Sequence, residues 1–485
     1  MNKNQKNSLN FSRREFLGTM AATAAFTIVP RSVLGGQGHT PPSDMVNIAG
    51  IGVGAQGGGD IQNIASPDVP IVRPTETRYT RFSQPYAGIQ PTSAVRFPGQ
   101  MGDRPTVRHA NIYALCDVDH DYAGHIFAGY PNAKKYKDFR EMIDKEKEID
   151  AVVIGTPDHT HAVAAAYAMK AGKHVFVEKP MCKTIYEARF LADLAKKTGL
   201  VTQMGNQGHN SEGTRQTVEW IQSGVIGDVR EINTWTSAPS WRQGYYPRPD
   251  GVPVPANLDY DLWLGPASPK PYHPDILHFN WRGLWDYGTG AMGDFGAHIL
   301  DAPIWALNLG FPNRIQATSP SFNDVYLPIT EFVTYEFPAR GNMPPVKVTW
   351  MDAGLKPARP AGLEDDRALQ ACLYIGDKGM IMHATHGAAP ELIPRNPDFR
   401  EPPKTLHRPN SVYVDFIEAI KEGRKAANDF EISAKLTEIM LLANIAVVAQ
   451  RLNITLEYDA ANMRFTNCPE ANDYLHYEYR SGWSL

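Results

Sequence analysis

Asp294 and His298 stand four residues apart in GTGAMGDFGAHILD (Gly288 to Asp301), a spacing that on a helix puts both side chains on one face. A neutral imidazole suits general-base work near neutral pH, such as taking a carbinol's hydroxyl proton while hydride leaves the carbon. Lys179, in HVFVEKPMC (His174 to Cys182), offers an ammonium that can hold the same oxygen and share or relay its proton as an alkoxide develops. Asp294 would bind a substrate hydroxyl and tune the other two. Taken singly, the Asp and His pair is an ordinary helix contact and the lysine before proline an ordinary turn residue.

A second group of residues could bind a nucleotide. Gly52, Gly54 and Gly57 form GxGxxG directly after the apolar run that starts at Val46. Such glycines allow a tight turn, close approach of a pyrophosphate, and packing of helix on sheet. Gly58 and Gly59 extend the run, although each glycine inside a helix costs ~1 kcal/mol relative to alanine. A helix start weakened in this way makes sense where backbone must come close to a ligand. The acidic residue that ends the second strand should bond the adenosine ribose. Asp117 in YALCDVD is placed for that, with Asp119 as second choice. A carboxylate here favours NAD over NADP, whose 2′-phosphate it would repel.

These residues need a scaffold, and the hydrophobic pattern supplies one. Strand-like runs at Asn111 to Cys116, Ala151 to Gly155, His174 to Val177 and Val201 to Met204 alternate with helical stretches such as HAVAAAYAMKAG and YEARFLADLAKKTG. Alternation of that kind predicts an α/β fold: an N-terminal Rossmann domain with a doubly wound parallel sheet over residues 38–208. An insertion at residues 66–109, rich in Pro, Gly and Arg, accounts for the long separation of Asp117 from the glycines. Beyond it, VREINTWTS, NRIQATS, EFVTYEF, VKVTWM and the hairpin around Asp377, Lys378 and Gly379 predict an α+β domain over 209–485. Its sheet should be large, mostly antiparallel, and covered by helices around Val412 to Lys421 and Glu431 to Arg451.

The glycine loop, GTPDHTHA (Gly155 to Ala162), the EKP run and the GDxGxH run together resemble the Gfo/Idh/MocA family of oxidoreductases, from about Asn47 to at least Leu452. The resemblance implies a Rossmann domain followed by an open-faced sheet domain, and homodimers or homotetramers formed through that sheet. It implies that Lys179, Asp294 and His298 are catalytic and that the bond before Pro180 is a place to look for a cis peptide. Glu178 would orient backbone and cofactor, while Thr156, Pro157, His161 and Asn206 would line the nicotinamide half of the cofactor site.

Trp241, Tyr246, Trp281, Arg282 and Trp285 suit a sugar ring, apolar on its C–H face and polar at its rim, though half of the aromatics could equally be core. No histidine spacing has the ligand set of a catalytic metal. The leading expectation is an NAD-dependent oxidoreductase acting on a CH–OH group of a sugar, glycoside or cyclitol. The alternatives are a redox-neutral, NAD-dependent glycoside hydrolase, of which the resembled family has members, and a non-catalytic sugar-binding protein.

Composition narrows the class further. Hydrophobic residues make up 42% and charged residues 21% of 485, ordinary globular values. A formal net charge of −4 gives no reason to expect nucleic acid. After the N-terminal leader no run reaches the ~18 apolar residues needed to span a bilayer. Four scattered cysteines form no CxxC pair. The leader itself, residues 1–37, carries SRREFLG ahead of LGTMAATAAFTIV and matches a twin-arginine (Tat) signal peptide, with periplasmic or other export as the expected address. That route carries folded proteins, so the cofactor should be tightly held.

Overall fold

The computed structural model describes residues 44–65 and 110–485. The expected twin-arginine leader and the expected 66–109 insertion therefore lie outside the described residues.

Within them, six strands form one parallel sheet: β1 (Val46–Ile51), β2 (Ala110–Cys116), β3 (Lys134–Tyr136), β4 (Ala151–Ile154), β5 (His174–Val177) and β6 (Thr202–Met204). Their order, β3-β2-β1-β4-β5-β6, is that of a Rossmann sheet, with its switch point between β1 and β4. The central strands read AVVI and HVFV, and a strand covered on both faces must be apolar on both.

The helices of this half are α1 (Gln56–Ile64), α2 (Gly124–Gly129), α3 (Phe139–Lys145), α4 (Asp158–Lys170) and α5 (Ile185–Thr198). Each end of α5 has a local cause. Thr184 and Glu187 form a reciprocal capping box at its start, and Gly199, at φ 67°, ends it in the left-handed region. Helix α4 is almost entirely buried, and its run of alanines lets the backbone approach the sheet closely.

The second half comprises α6 (Glu212–Gln222), β7 (Val229–Trp235), α7 (Tyr260–Leu264), α8 (Gly290–Ala306), β8 (Arg314–Thr318), β9 (Phe332–Phe337), β10 (Val346–Met351), β11 (Cys372–Gly376), β12 (Met380–His383), β13 (Glu391–Ile393), α9 (Val412–Glu422), α10 (Phe430–Ala449), β14 (Leu456–Asp459) and β15 (Arg464–Phe465). The strands form a nine-stranded sheet in the order β13-β12-β11-β7-β10-β9-β8-β14-β15. Pairing is antiparallel except between β7 and β10, which run parallel. The expected hairpin is present as β11 and β12.

One expectation is corrected. Helix α9 does not cover the second sheet; its Tyr413 and Phe416 pack on Phe176 of β5, at ring separations of 5.6 and 5.8 Å. It completes the Rossmann core beside Ile61, Ile126 and Val153. Its amphipathic stripe fits any apolar sheet, and the chain's return path decides which. Helix α10 does face the second sheet through β8 and also packs on α5 and α8, so the two halves share one hydrophobic core. All four cysteines are buried and unpaired.

Candidate active site

The glycine loop connects β1 to α1 over the switch point. Gly52 takes φ 74°, and its N–H donates to Cys116 O at 2.8 Å. A Cβ on Gly57 would lie 2.2 Å from Gly52 O, and one on Gly52 would lie 2.6 Å from Thr156 Cγ2. Side chains are therefore excluded where the loop meets the turn after β4, and backbone faces a cavity of about 620 Å³. That volume falls in the ~300–1,000 Å³ range of small-molecule sites. Gly54, Asp117, Thr156, Lys179, Asp294 and His298 all line it.

The cavity fits a dinucleotide. Thr156 lines it, and its Oγ1 is buried with no hydrogen-bond partner among the described residues, a donor and acceptor left over for a bound group. Asp117 Oδ2 accepts from Val53 N at 2.8 Å and Gly54 N at 3.0 Å, while Oδ1 accepts from Asp119 N at 2.9 Å. Burial raises the Asp117 carboxyl to about 6. The residue braces the glycine loop and lines the cavity, with lone-pair capacity left beyond these three bonds. Asp119, the second choice for the ribose, is not on that wall; its oxygens are engaged by Tyr122 N, Asn257 and His278.

Glu178 lies under the loop. Its Oε2 accepts from Lys179 N at 3.1 Å and its Oε1 from Gln207 Nε2 at 3.3 Å, and burial lifts its carboxyl to about 7. The peptide bond from Lys179 to Pro180 is cis. His161 sits behind this turn, with Nδ1 2.8 Å from Pro180 O and Nε2 2.8 Å from Thr156 O. It lies between the two loops; burial lowers its imidazole to about 4, so the neutral ring donates to one of these carbonyls, and with Thr156 and Pro157 it reaches the cavity.

From the other half, α8 brings Asp294 and His298 to the same cavity. Lys179 Nζ donates to Asp294 Oδ1 at 2.9 Å and to its backbone O at 3.0 Å, and Arg282 Nε lies 3.4 Å from the same Oδ1. Burial alone would raise the Asp294 carboxyl, but the Lys179 ammonium and Arg282 guanidinium outweigh it and hold the group below the usual carboxylate range.

His298 is 7% exposed. Its Nδ1 lies 2.9 Å from Asn206 Oδ1, and Asn206 Nδ2 donates to Ala297 O at 2.8 Å. The opposite amide orientation would set two oxygens against each other, so Oδ1 faces the ring and Nδ1 must carry the proton. Nε2 is then the basic nitrogen. Burial first, then His386 and the Lys179 charge, push the imidazole well below its ordinary value, so it stays neutral.

Several expected residues are placed differently. Asn206 does not line the cofactor cavity; it stands behind His298 and sets its tautomer. Trp281, Arg282 and Trp241 line the cavity, but Tyr246 and Trp285 do not. Tyr246 packs edge-on to Tyr326 at 6.3 Å, and the Trp285 indole donates to Asn323 O. Tyrosine and tryptophan satisfy core and pocket alike, so type alone did not separate them.

His386 was not anticipated. It follows β12, takes φ 60°, stacks on His298 at 3.8 Å and lines the cavity. Its neighbours Gly387 and Ala388 pack on Gly208 and Gly213, which seats the loop. No spacing marks it; the weak signal was a histidine in a glycine-containing turn. Trp263, Phe279 and His278 join the lining in the same unannounced way.

Two family models match the chain: the oxidoreductase family's NAD-binding Rossmann fold over residues 100–206 and its C-terminal alpha/beta domain over 219–323 and 365–485. The fold and site thus define a two-domain, NAD-binding protein, and the chain belongs to the Gfo/Idh/MocA family.

Among relatives, the chain is 33% identical over 127 residues to 1-carboxy-3-chloro-3,4-dihydroxycyclohexa-1,5-diene dehydrogenase of Comamonas testosteroni, covering 26% of this chain and 32% of that one. It is 30% identical over 174 residues to levoglucosan dehydrogenase of Pseudarthrobacter phenanthrenivorans, covering 36% of each. The chain spans about a third of the length of these two curated relatives. Its fold is similar to that of aldose-aldose oxidoreductase from Caulobacter crescentus complexed with glycerol, with a TM-score of 0.52 and 17% identity over 85% of this chain and 100% of the other.

Proposed function

We propose that the protein is an NAD-dependent oxidoreductase acting on a CH–OH group of a ring polyol: a sugar, glycoside or cyclitol. The observation that carries this reading is the place of His298, on the wall of the cavity shared with Lys179, Asp294 and the glycine loop, with Nδ1 held by Asn206 so that Nε2 is the basic nitrogen. The backbone where the glycine loop enters α1, with Asp117 and Thr156, would hold NAD, which when bound supplies the hydride acceptor. The names of the two curated relatives, a dihydroxycyclohexadiene dehydrogenase and a levoglucosan dehydrogenase, support the substrate class.

Within this reading His298 Nε2 takes the hydroxyl proton. The Lys179 ammonium faces the developing alkoxide, and Asp294 keeps that ammonium charged and in place. Trp241 and Trp281 offer aromatic faces to ring C–H groups, and Arg282 offers a donor at the rim. A panel of sugars, glycosides and cyclitols tests the reading by hydride exchange with NAD. Exchange with several members, lost in His298→Ala, supports it; no exchange from protein that holds NAD sinks it.

The twin-arginine run at Ser12 to Gly18 favours a second reading, since an exported enzyme has no evident supply of free NAD. On that reading transient oxidation is reversed within the same site and a glycosidic substituent is released. Aglycone release without net NADH would separate it from the first. The proposal includes export, tested by fractionating cells that express the full chain, and a homodimer or homotetramer through the nine-stranded sheet, tested by sedimentation.

A further inference from the structure

The segment between β7 and α8 is long, and part of it crosses back to the Rossmann half. Residues 257–278 are fastened to the end of β2 by backbone and side chains together. Asp259 N donates to Val118 O at 2.9 Å, and Asp119 and Leu258 form a bridge. Asn257 Nδ2 donates to Asp119 Oδ1 at 2.7 Å, and Lys137 Nζ donates to Asn257 O at 3.3 Å. At the far end His278 Nε2 lies 3.0 Å from Asp119 Oδ2.

His278 also stacks flat on Tyr122, with centroids 3.8 Å apart and planes 6° apart. Tyr122 in turn lies against the glycine loop: a Cβ on Gly54 would come within 2.1 Å of its ring. Between the two fastenings Leu262 and Trp263 line the cavity, and Trp263 O lies 3.0 Å from His159 Nε2 at the start of α4. The segment therefore runs along the cavity from the end of β2 to the N-terminus of α4, bonded to both and contributing Leu262, Trp263 and His278 to the lining.

We infer that residues 257–278 are a strap that holds the nucleotide as a resident cofactor, and that Asp119 is its clasp. The two oxygens of Asp119 take donors from both the Rossmann half and the strap, so the carboxylate joins them directly. Although burial opposes ionisation, His278, Tyr122 N and Asn257 hold its carboxyl down to about 2. The clasp stays charged at any ordinary pH, and nucleotide exchange requires it to open. This inference rests on the NAD reading of the cavity.

The test measures nucleotide retention, with no substrate required. Purified full-length protein is loaded with NADH, and the loss of its bound-state fluorescence is followed in the presence of excess NAD. The wild type should keep its nucleotide through gel filtration. Asp119→Asn, His278→Ala and Asn257→Ala should each release it at least tenfold faster. His278→Phe keeps a ring against Tyr122 without the nitrogen, and it too should release faster if the clasp is the cause. Circular dichroism melts identify any variant that has lost its fold, and the remaining, milder variants then decide. Release at the wild-type rate from folded variants would overturn the strap while leaving the NAD reading intact. Wild-type protein that binds no NAD or NADH would overturn the cofactor reading and the strap together.

Discussion

At His298, burial and the direction of a single amide decide which ring nitrogen carries the proton. His298→Ala should lower kcat by about 10²- to 10⁴-fold, the span of general-base contributions, with NADH binding retained in a fluorescence titration. Because burial, His386 and Lys179 all depress the imidazole, the acid limb of kcat/KM in the wild type should lie below pH 6.5. Asn206→Asp would put a carboxylate beside Nδ1 and move that limb upward, a shift that a purely structural asparagine would not produce. The candidate residues themselves were legible because each stands in a short motif: glycines after an apolar run, a lysine before proline, Asp and His on one helical face. Asn206 was legible only as a member of the site, since its role depends on Ala297 O and His298, both far away in the chain.

Among the elements, helix α1 gives the sharpest contrast. Gly57→Ala forces a Cβ to within 2.2 Å of Gly52 O, a backbone atom that cannot swing away, and should abolish NADH binding and lower Tm. Gly59 has nothing within 4 Å of the same position, so Gly59→Ala should be neutral or stabilising by up to ~1 kcal/mol in a thermal melt.

Helix α4 supplies a pH test. Burial lowers the His159 imidazole to about 3, so the folded state keeps it neutral while the unfolded chain protonates near 6.5. The unfolded state then binds more protons between those values, and this residue costs stability as pH falls from about 6.5 toward 3. His159→Leu removes that cost; it should be less stable than wild type at pH 7, with a gap that narrows steadily on acidification in urea melts. Most Rossmann strands and helices were readable from periodicity, but β3 was not: KKY is short, polar and mostly exposed, and it becomes a strand only by pairing with β2.

Across the molecule, neither half is complete alone. The Rossmann core closes with Phe416 from α9, which lies more than two hundred residues after β6 and is fully buried. Phe416→Ala should cost about 3–5 kcal/mol, read from urea melts. An isolated fragment of residues 44–208 leaves Phe176 and its neighbours uncovered and should show no cooperative unfolding transition by circular dichroism. The site has the same divided origin, with Lys179 from one half and Asp294, His298 and His386 from the other.

What the sequence determined by itself was everything that depends on neighbours within a few residues: the glycine turn, the alternation that makes a doubly wound sheet, and the residue types able to move a proton. Only the tertiary structure decided which sheet α9 covers, that Tyr246 and Trp285 turn away from the cavity, that His386 enters it, and that Asp119 fastens a strap. Those outcomes depend on distances between segments far apart in the chain, which close packing sets and no local pattern encodes.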